Sequence, residues 1–137
     1  MGNFSSIDVS ASGLFAQRTR LDVIANNIAN ATTTRTPNGG PYKRQDVVFR
    51  QRLEESEAGG NGGVEVEAVV ESNEPAKMVY DPGHPDAGPD GMVAMPNVNP
   101  VQEMVDMISA TRAYEANVQA INAARTMASK ALDIGRG

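Results

Sequence analysis

Apolar positions recur at helical spacing at both ends of the chain and, briefly, at strand spacing in the middle. The longest periodic stretch runs from Asn99 to Gly135 and predicts one helix of roughly 34 residues, about 50 Å long. Asn99 has the chemistry of an N-cap, Pro100 suits the first helical position, Gln102 is placed to reach back to the cap, and Gly135 suits the end. One stripe takes Met104, Met107, Thr111, Tyr114, Val118, Ile121, Arg125, Ala128 and Leu132, alternating three and four as a heptad seam does. A second stripe of small or apolar residues lies off it: Ala113, Ala116, Ala120, Ala123, Met127 and Ala131. A helix that is apolar or small on more than one face wants more than one neighbour.

The first helix is expected from about Ser6 to Ala31. Ser5 and Asp8 stand in capping-box spacing, with Phe4 and Val9 as a candidate hydrophobic staple. Its seam is Ile7, Leu14, Leu21 and Ile28, with Ile24 and Ala31 alongside. Gly13 weakens it by up to about 1 kcal/mol relative to Ala. Asn26, Asn27 and Asn30 crowd one turn and have mediocre helix propensity. Asn26 and Asn30 share a face. The cluster is either a fraying last turn or a set of amides that bond to neighbouring helices and set their register.

Between the helices the pattern changes. Gln45 to Leu53 is a short strand candidate centred on Val47, Val48 and Phe49. Residues 56–63 read as a glycine-rich loop. Val64 to Glu71 alternates, with Val64, Val66, Ala68 and Val70 on one face and glutamates on the other, a solvated face that also blunts edge pairing. Ala76 to Tyr80 is a third candidate, so three short strands would make a hairpin or small sheet. Asp81 to Gly91 is a run of turns through which no regular element persists, and Met92 to Asn99 leads into the long helix. The expected fold is mainly α with a small β element, the terminal helices pairing as a coiled coil. Its expected units are 1–35, 36–98 and 99–137.

Composition narrows the chemistry. The chain has 137 residues, no Cys and no Trp, and aromatic residues make up 4% of it. Without Cys there is no disulfide, thiol nucleophile or thiolate metal site. No run of about 18 apolar residues is present, so no membrane-spanning helix is expected. Residues 1–12 lack a basic region and a continuous apolar run, so no conventional cleaved signal peptide is expected. Net charge is −5, but residues 1–53 hold seven basic and three acidic side chains, whereas 54–91 hold one basic and ten acidic. The overall acidity argues against a nucleic-acid partner, and the basic group Lys43, Arg44, Arg50 and Arg52 reads as a solvated or subunit-facing patch.

His84 is the sole histidine, with Asp81, Asp86 and Asp90 nearby, yet Pro and Gly separate every candidate ligand. Asp86 to Asn97 fails as a calcium loop, because Gly88 stands at the third position and Asn97 at the twelfth. Aspartates bonding local turn amides are the simpler account. A Ser–His–Asp site would need a sheet scaffold the chain hardly has, and the glycine-rich loop lacks the Lys and helix of a phosphate site. No cofactor or metal is expected. Met104, Met107 and Met127 suit packing between helices.

Two separated motifs carry a family resemblance. Ile24-Ala25-Asn26-Asn27-Ile28-Ala29-Asn30-Ala31-Thr32-Thr33-Thr34 resembles the N-terminal signature of the bacterial flagellar rod, hook and hook-associated proteins, and Arg112-Ala113-Tyr114-Glu115-Ala116-Asn117 resembles the C-terminal one. The stretched segment Arg35 to Arg44, with Tyr80 to His84, Met95 to Asn99 and Glu103 to Ile108, is closer to the proximal-rod proteins than to the distal rod or hook. Gly88-Pro89 departs from the pattern locally. The resemblance implies a structural subunit, not an enzyme. It would leave the cell unfolded through the flagellar type III export apparatus and polymerise in the periplasmic part of the basal body, through its terminal helices, into a helical tube that transmits torque. Implied partners are other copies, other rod proteins and the ring at the rod's base. The residues expected at assembly interfaces are the seam and signature positions: Ile7, Leu14, Leu21, Ile24, Asn26, Asn27, Ile28 and Asn30 in the first helix, and Met104, Met107, Arg112, Tyr114, Asn117, Val118, Ala120, Ile121, Ala128 and Leu132 in the second. From the residues alone, a soluble coiled-coil adaptor or chaperone-like binding module stays open as the alternative.

Overall fold

The computed structural model describes residues 2–52 and 62–137. Its elements, in order, are α1 (Gly2–Ala29), β1 (Gln45–Gln51), β2 (Val64–Glu71), β3 (Lys77–Tyr80), β4 (Met92–Met95) and α2 (Pro100–Arg136). The fold is mainly helical with a small β component.

α2 begins as the sequence dictates. The Asn99 side chain accepts from the amides of Val101 at 3.1 Å and Gln102 at 3.3 Å, and Pro100 takes the first helical position. Gln102 turns forward to Asp106 at 3.4 Å, so the reciprocal half of the capping box is not made. The helix passes through Gly135 and ends at Arg136, 37 residues in all, about 55 Å. α1 starts earlier than the capping signal, so Ser5 and Asp8 lie within it. It ends at Ala29, where Asn30 donates from its side chain to the Asn26 carbonyl at 2.9 Å and closes the last turn.

The helices lie antiparallel against each other. Asn27 meets Glu103, and fourteen residues away on each helix Gly13 meets Asn117. A Cβ on Gly13 would stand 2.9 Å from the Asn117 amide, so this glycine permits the close approach that its propensity cost made puzzling. The same register places Ala128 opposite the start of α1, leaving the final two turns of α2 without a helix beside them, and every residue from 129 to 137 is exposed.

The seam on α2 is rotated from the expected one. Met107, Tyr114, Ile121 and Ala128 face α1 as expected, but the interleaved row is Glu103, Ala110, Asn117 and Ala124, not Met104, Thr111, Val118 and Arg125. Met104, Thr111, Arg125 and Leu132 are exposed, and Val118 sits half-buried at the edge. The reason is size: Ala110 and Ala124 are buried and Gly13 opposes Asn117, so the backbones come closer than a row holding Met104 and Arg125 allows.

α1 is covered on a second side by β1 and β2. These pair antiparallel from Gln45 opposite Glu71 to Gln51 opposite Val64. Val48 faces Ala68 and Phe49 faces Val66, so Glu67 is an inserted bulge residue. The expected inward face holds at Val64, Val66 and Ala68. Val70, past the bulge and its added twist, is exposed. The Ser12 hydroxyl of α1 donates to the Val9 carbonyl at 2.6 Å and accepts from the Val64 amide at 3.1 Å, fixing the start of β2.

Instead of one three-stranded sheet there are two two-stranded ones, because β3 pairs with β4. Val93 of β4 is 1% exposed. The turns between them use Asp81 and Asp90 as expected, accepting from the amides of Gly83 and Met92, each at 3.2 Å. Gly91 has φ +73° and a Cβ there would stand 2.8 Å from the Tyr80 ring, so no other residue fits. Most of the expected glycine-rich loop lies outside the described residues. The buried apolar core among the described residues is thin: Ala16, Val23, Ile24, Val93, Ala110 and Ala124.

Candidate functional site

The joint where α1 ends, β1 begins and α2 begins is polar and closed to water. Asn27 is 0% exposed and Glu103 is 1% exposed. Asn27 spends every bonding position of its amide. Nδ2 donates to the Gln45 carbonyl at 2.8 Å and to Glu103 Oε2 at 3.1 Å, while Oδ1 accepts from the Gln45 amide at 2.9 Å and from the Tyr42 hydroxyl at 3.0 Å. By holding both backbone groups of Gln45, the side chain stands in for a neighbouring strand at the first residue of β1. Arg44 Nε donates to Glu103 Oε1 at 2.5 Å, and its Nη1 pairs with Asp46.

This arrangement stabilises its own charges. Burial holds the Tyr42 phenol above its ordinary pKa, and the Glu103 and Glu71 carboxylates push the same way. Burial acts to lower the Arg44 pKa, but its bonds to Glu103 and Asp46 outweigh that and raise it. Glu103 lies in the first turn of α2, where the helix dipole also favours an anion. The network positions backbone and offers no nucleophile; its chemistry is structural.

The sequence leaves Asn26, Asn27 and Asn30 as one cluster, with Asn26 and Asn30 on a shared face. The structure divides the three: Asn27 is buried and bonded to distant partners, Asn26 is exposed, and Asn30 is half-buried at the helix end with local bonds. Glu103 and Arg44 went unassigned as partners, because 59 residues separate them. The only local hint was an acidic residue in a first helical turn. Within the basic group, Arg44 is largely covered, and Arg50 is paired across the strands with Glu65. His84 takes a turn role: its Nδ1 accepts from the Asp86 amide at 3.0 Å. Asp86 in turn bonds Thr34 at 2.7 Å and pairs with Arg35, tying the turns to the segment after α1. The Thr34 bond first, then Arg35, hold the Asp86 carboxyl below its ordinary pKa despite some desolvation. Among the described residues no three His, Asp or Glu side chains gather as a metal would need.

The remaining expected interface positions fall into three settings. Ile24 is buried, and Ile7, Leu14, Leu21 and Ile28 are half-buried along α1. Met107, Tyr114, Asn117, Val118, Ile121 and Ala128 are half-buried on or beside the seam. Met104, Arg112, Ala120 and Leu132 are open to solvent. On the side of α2 away from α1, Val101 (69% exposed), Met104, Val105 and Ile108 form one apolar stripe over the first turns. Ala116, Ala120, Ala123, Met127 and Ala131 are also exposed, on a flank about a quarter-turn round the helix from it, while Arg112, Glu115, Gln119 and Thr126 follow the stripe directly. The small-residue stripe is therefore open to solvent except at Ala113, which is half-buried.

Similarity to known proteins decides the family. A flagella basal body rod protein model matches residues 7–35, and a flagellar basal body rod FlgEFG protein C-terminal model matches residues 90–134. The chain is 49% identical to the flagellar basal-body rod protein FlgC of Borreliella burgdorferi, with all of each chain covered. It is 45% identical to FlgC of Bacillus subtilis and 43% identical to FlgC of Salmonella typhimurium, in each case over 99% of this chain and all of the relative. The chain belongs to the FlgC family of flagellar basal-body rod proteins. The two matched segments cover most of the two helices and the parts flanking them; Asn27 and Glu103 of the polar joint lie one in each, and Tyr42, Arg44 and Gln45 lie between them. Its role as a FlgC-type rod subunit is structural, not enzymatic.

Proposed function

We propose that this chain is a subunit of the proximal rod that polymerises through its terminal helices into the torque-transmitting tube of the flagellar basal body. In this reading residues 1–35 and 99–137 form the rod core, paired as a coiled coil, and residues 36–98 project from it. One observation carries it: α2 exposes Val101, Met104, Val105 and Ile108 over its first turns and Ala116, Ala120, Ala123 and Met127 along a flank further on, and no described residue of the chain covers them. Contiguous apolar surface on a chain with so thin a core favours burial against neighbours, and small residues let backbones approach closely. A surface that meets a different surface on the next subunit builds open helical arrays. The neighbours are other copies, other rod proteins and the ring at the base; the chain reaches the periplasm through the export apparatus. No described helix is long and apolar enough to cross a membrane.

Ala120→Leu tests this. Ala120 is exposed, so the larger side chain is neutral within the chain itself. At a close interface, overpacking costs about 1–3 kcal/mol per site, repeated in every copy. The expected outcome is normal export, measured by immunoblot, with few rods in purified basal bodies. Glu67→Leu, on the exposed bulge of β2, is expected to build rods. Normal rod numbers from Ala120→Leu would refute the proposed interface.

A further inference from the structure

The buried polar pair between the helices is not satisfied by the helices. Asn27 and Glu103 make one bond to each other, at 3.1 Å. Among the described residues, the other partners of these two side chains come from the connector before and into β1: the Tyr42 hydroxyl, the Arg44 guanidinium and both backbone groups of Gln45. The same turns of α2 that carry Glu103 inward carry Val101, Met104, Val105 and Ile108 outward.

We propose that residues 42–45 are a latch that couples the β segment to this end of the helical pair: the last turn of α1 and the first two turns of α2 close only when the latch is seated, and only then is the Val101–Ile108 stripe presented in a fixed orientation. With the latch withdrawn, Asn27 keeps one bond of four and Glu103 becomes a buried carboxylate with no cation. Buried polar groups in that condition are more stable opened to water. The two helix ends then become a unit of local unfolding separate from the Ala110–Ala124 stretch. The coupling is reciprocal. A neighbour that grips the stripe favours the seated latch, and one that grips the β segment favours an ordered stripe. The coupling is a property of the folded chain alone; only its consequence for assembly rests on the rod reading.

Hydrogen exchange read peptide by peptide on the full-length chain tests it. In Arg44→Met, amides in 24–30 and 99–108 are expected to exchange roughly a hundredfold faster, because one partner of a buried pair is gone. Those in 113–124 stay within about threefold. Arg44→Met combined with Glu103→Met leaves no buried charge unpaired, since Asp46, the other partner of Arg44, is exposed, and is expected to bring 99–108 back to within about tenfold of the parent. This rescue is a result that mere loss of packing would not give. Arg50→Met, which removes an exposed pair with Glu65 in the same sheet, is the control and is expected to change neither peptide. Unchanged exchange at 99–108 in Arg44→Met, acceleration spread evenly along both helices, or no rescue in the double variant would each overturn the latch. Rod counts on the same variants test the consequence: Arg44→Met loses rods and the double variant recovers them. Fast exchange with normal rods in Arg44→Met would overturn that consequence alone, while Ala120→Leu tests the rod reading independently.

Discussion

Asn27→Ala is the perturbation that the joint makes most costly. The substitution removes four hydrogen bonds and strands the Tyr42 hydroxyl, both backbone groups of Gln45 and one oxygen of Glu103. A buried donor or acceptor left without a partner costs about 1–3 kcal/mol. Tyr42 is only partly covered and can turn to water, which leaves the Gln45 groups and the Glu103 oxygen as the expensive ones. Water entering the vacated amide volume recovers part of that, so a net loss of about 3–5 kcal/mol is expected. Alanine's better helix propensity returns only about 0.5 kcal/mol. Set against the 5–15 kcal/mol typical of a domain, and given the thin apolar core here, the loss takes much of the stability. Urea unfolding of the purified chain followed by far-ultraviolet circular dichroism is the assay, with Asn26→Ala, one residue away and exposed, as the comparison. Asn26→Ala is expected within about 0.5 kcal/mol of the parent. Asn27→Ala is expected to unfold at far lower urea or to lack a cooperative transition. Equal midpoints for the two variants would show that the buried amide holds nothing together.

Two further outcomes follow from particular contacts. Gly13→Ala should lower stability by about 1 kcal/mol, since its Cβ meets the Asn117 amide at 2.9 Å, yet raise it by about 0.5–1 kcal/mol when Asn117 is already Ala; thermal melts of the four chains in that cycle check the change of sign. Tyr42 has a raised pKa when folded, so its contribution is fully present below the unfolded value of 10.0 and is lost as pH rises from there toward the folded value. Tyr42→Phe should flatten that alkaline loss, read as unfolding midpoints between about pH 8 and 11.5, and an unchanged slope would exclude Tyr42 as its source.

Much of this protein was decided locally and was therefore legible in its residues. The Asn99 cap with Pro100, the 64–71 strand, the turn run from Asp81 to Gly91 and the two long helices each follow from spacing, capping or turn chemistry among near neighbours. The small-residue stripe through Ala116, Ala120 and Ala123 was likewise visible, and it lies on the free face. The family was legible too, because its two signatures are short and local, one running across the end of α1 and the other inside α2.

Tertiary structure decided what depends on distant partners. Heptad spacing allowed two rows beside Met107, Tyr114, Ile121 and Ala128; the close approach at Gly13 selected the row with Ala110 and Ala124 and turned Met104 outward. β4 is four residues with no alternation, and only its pairing with β3 makes it a strand. Of three asparagines in one turn, the one chosen for burial is the one that reaches Gln45 and Tyr42. A glutamate near a helix start reads as a surface residue until the chain brings an arginine from 59 residues away and an amide from 76 residues away to meet it. Burying that carboxylate is favourable only with those partners in place, so no property of the residues around Glu103 announces it.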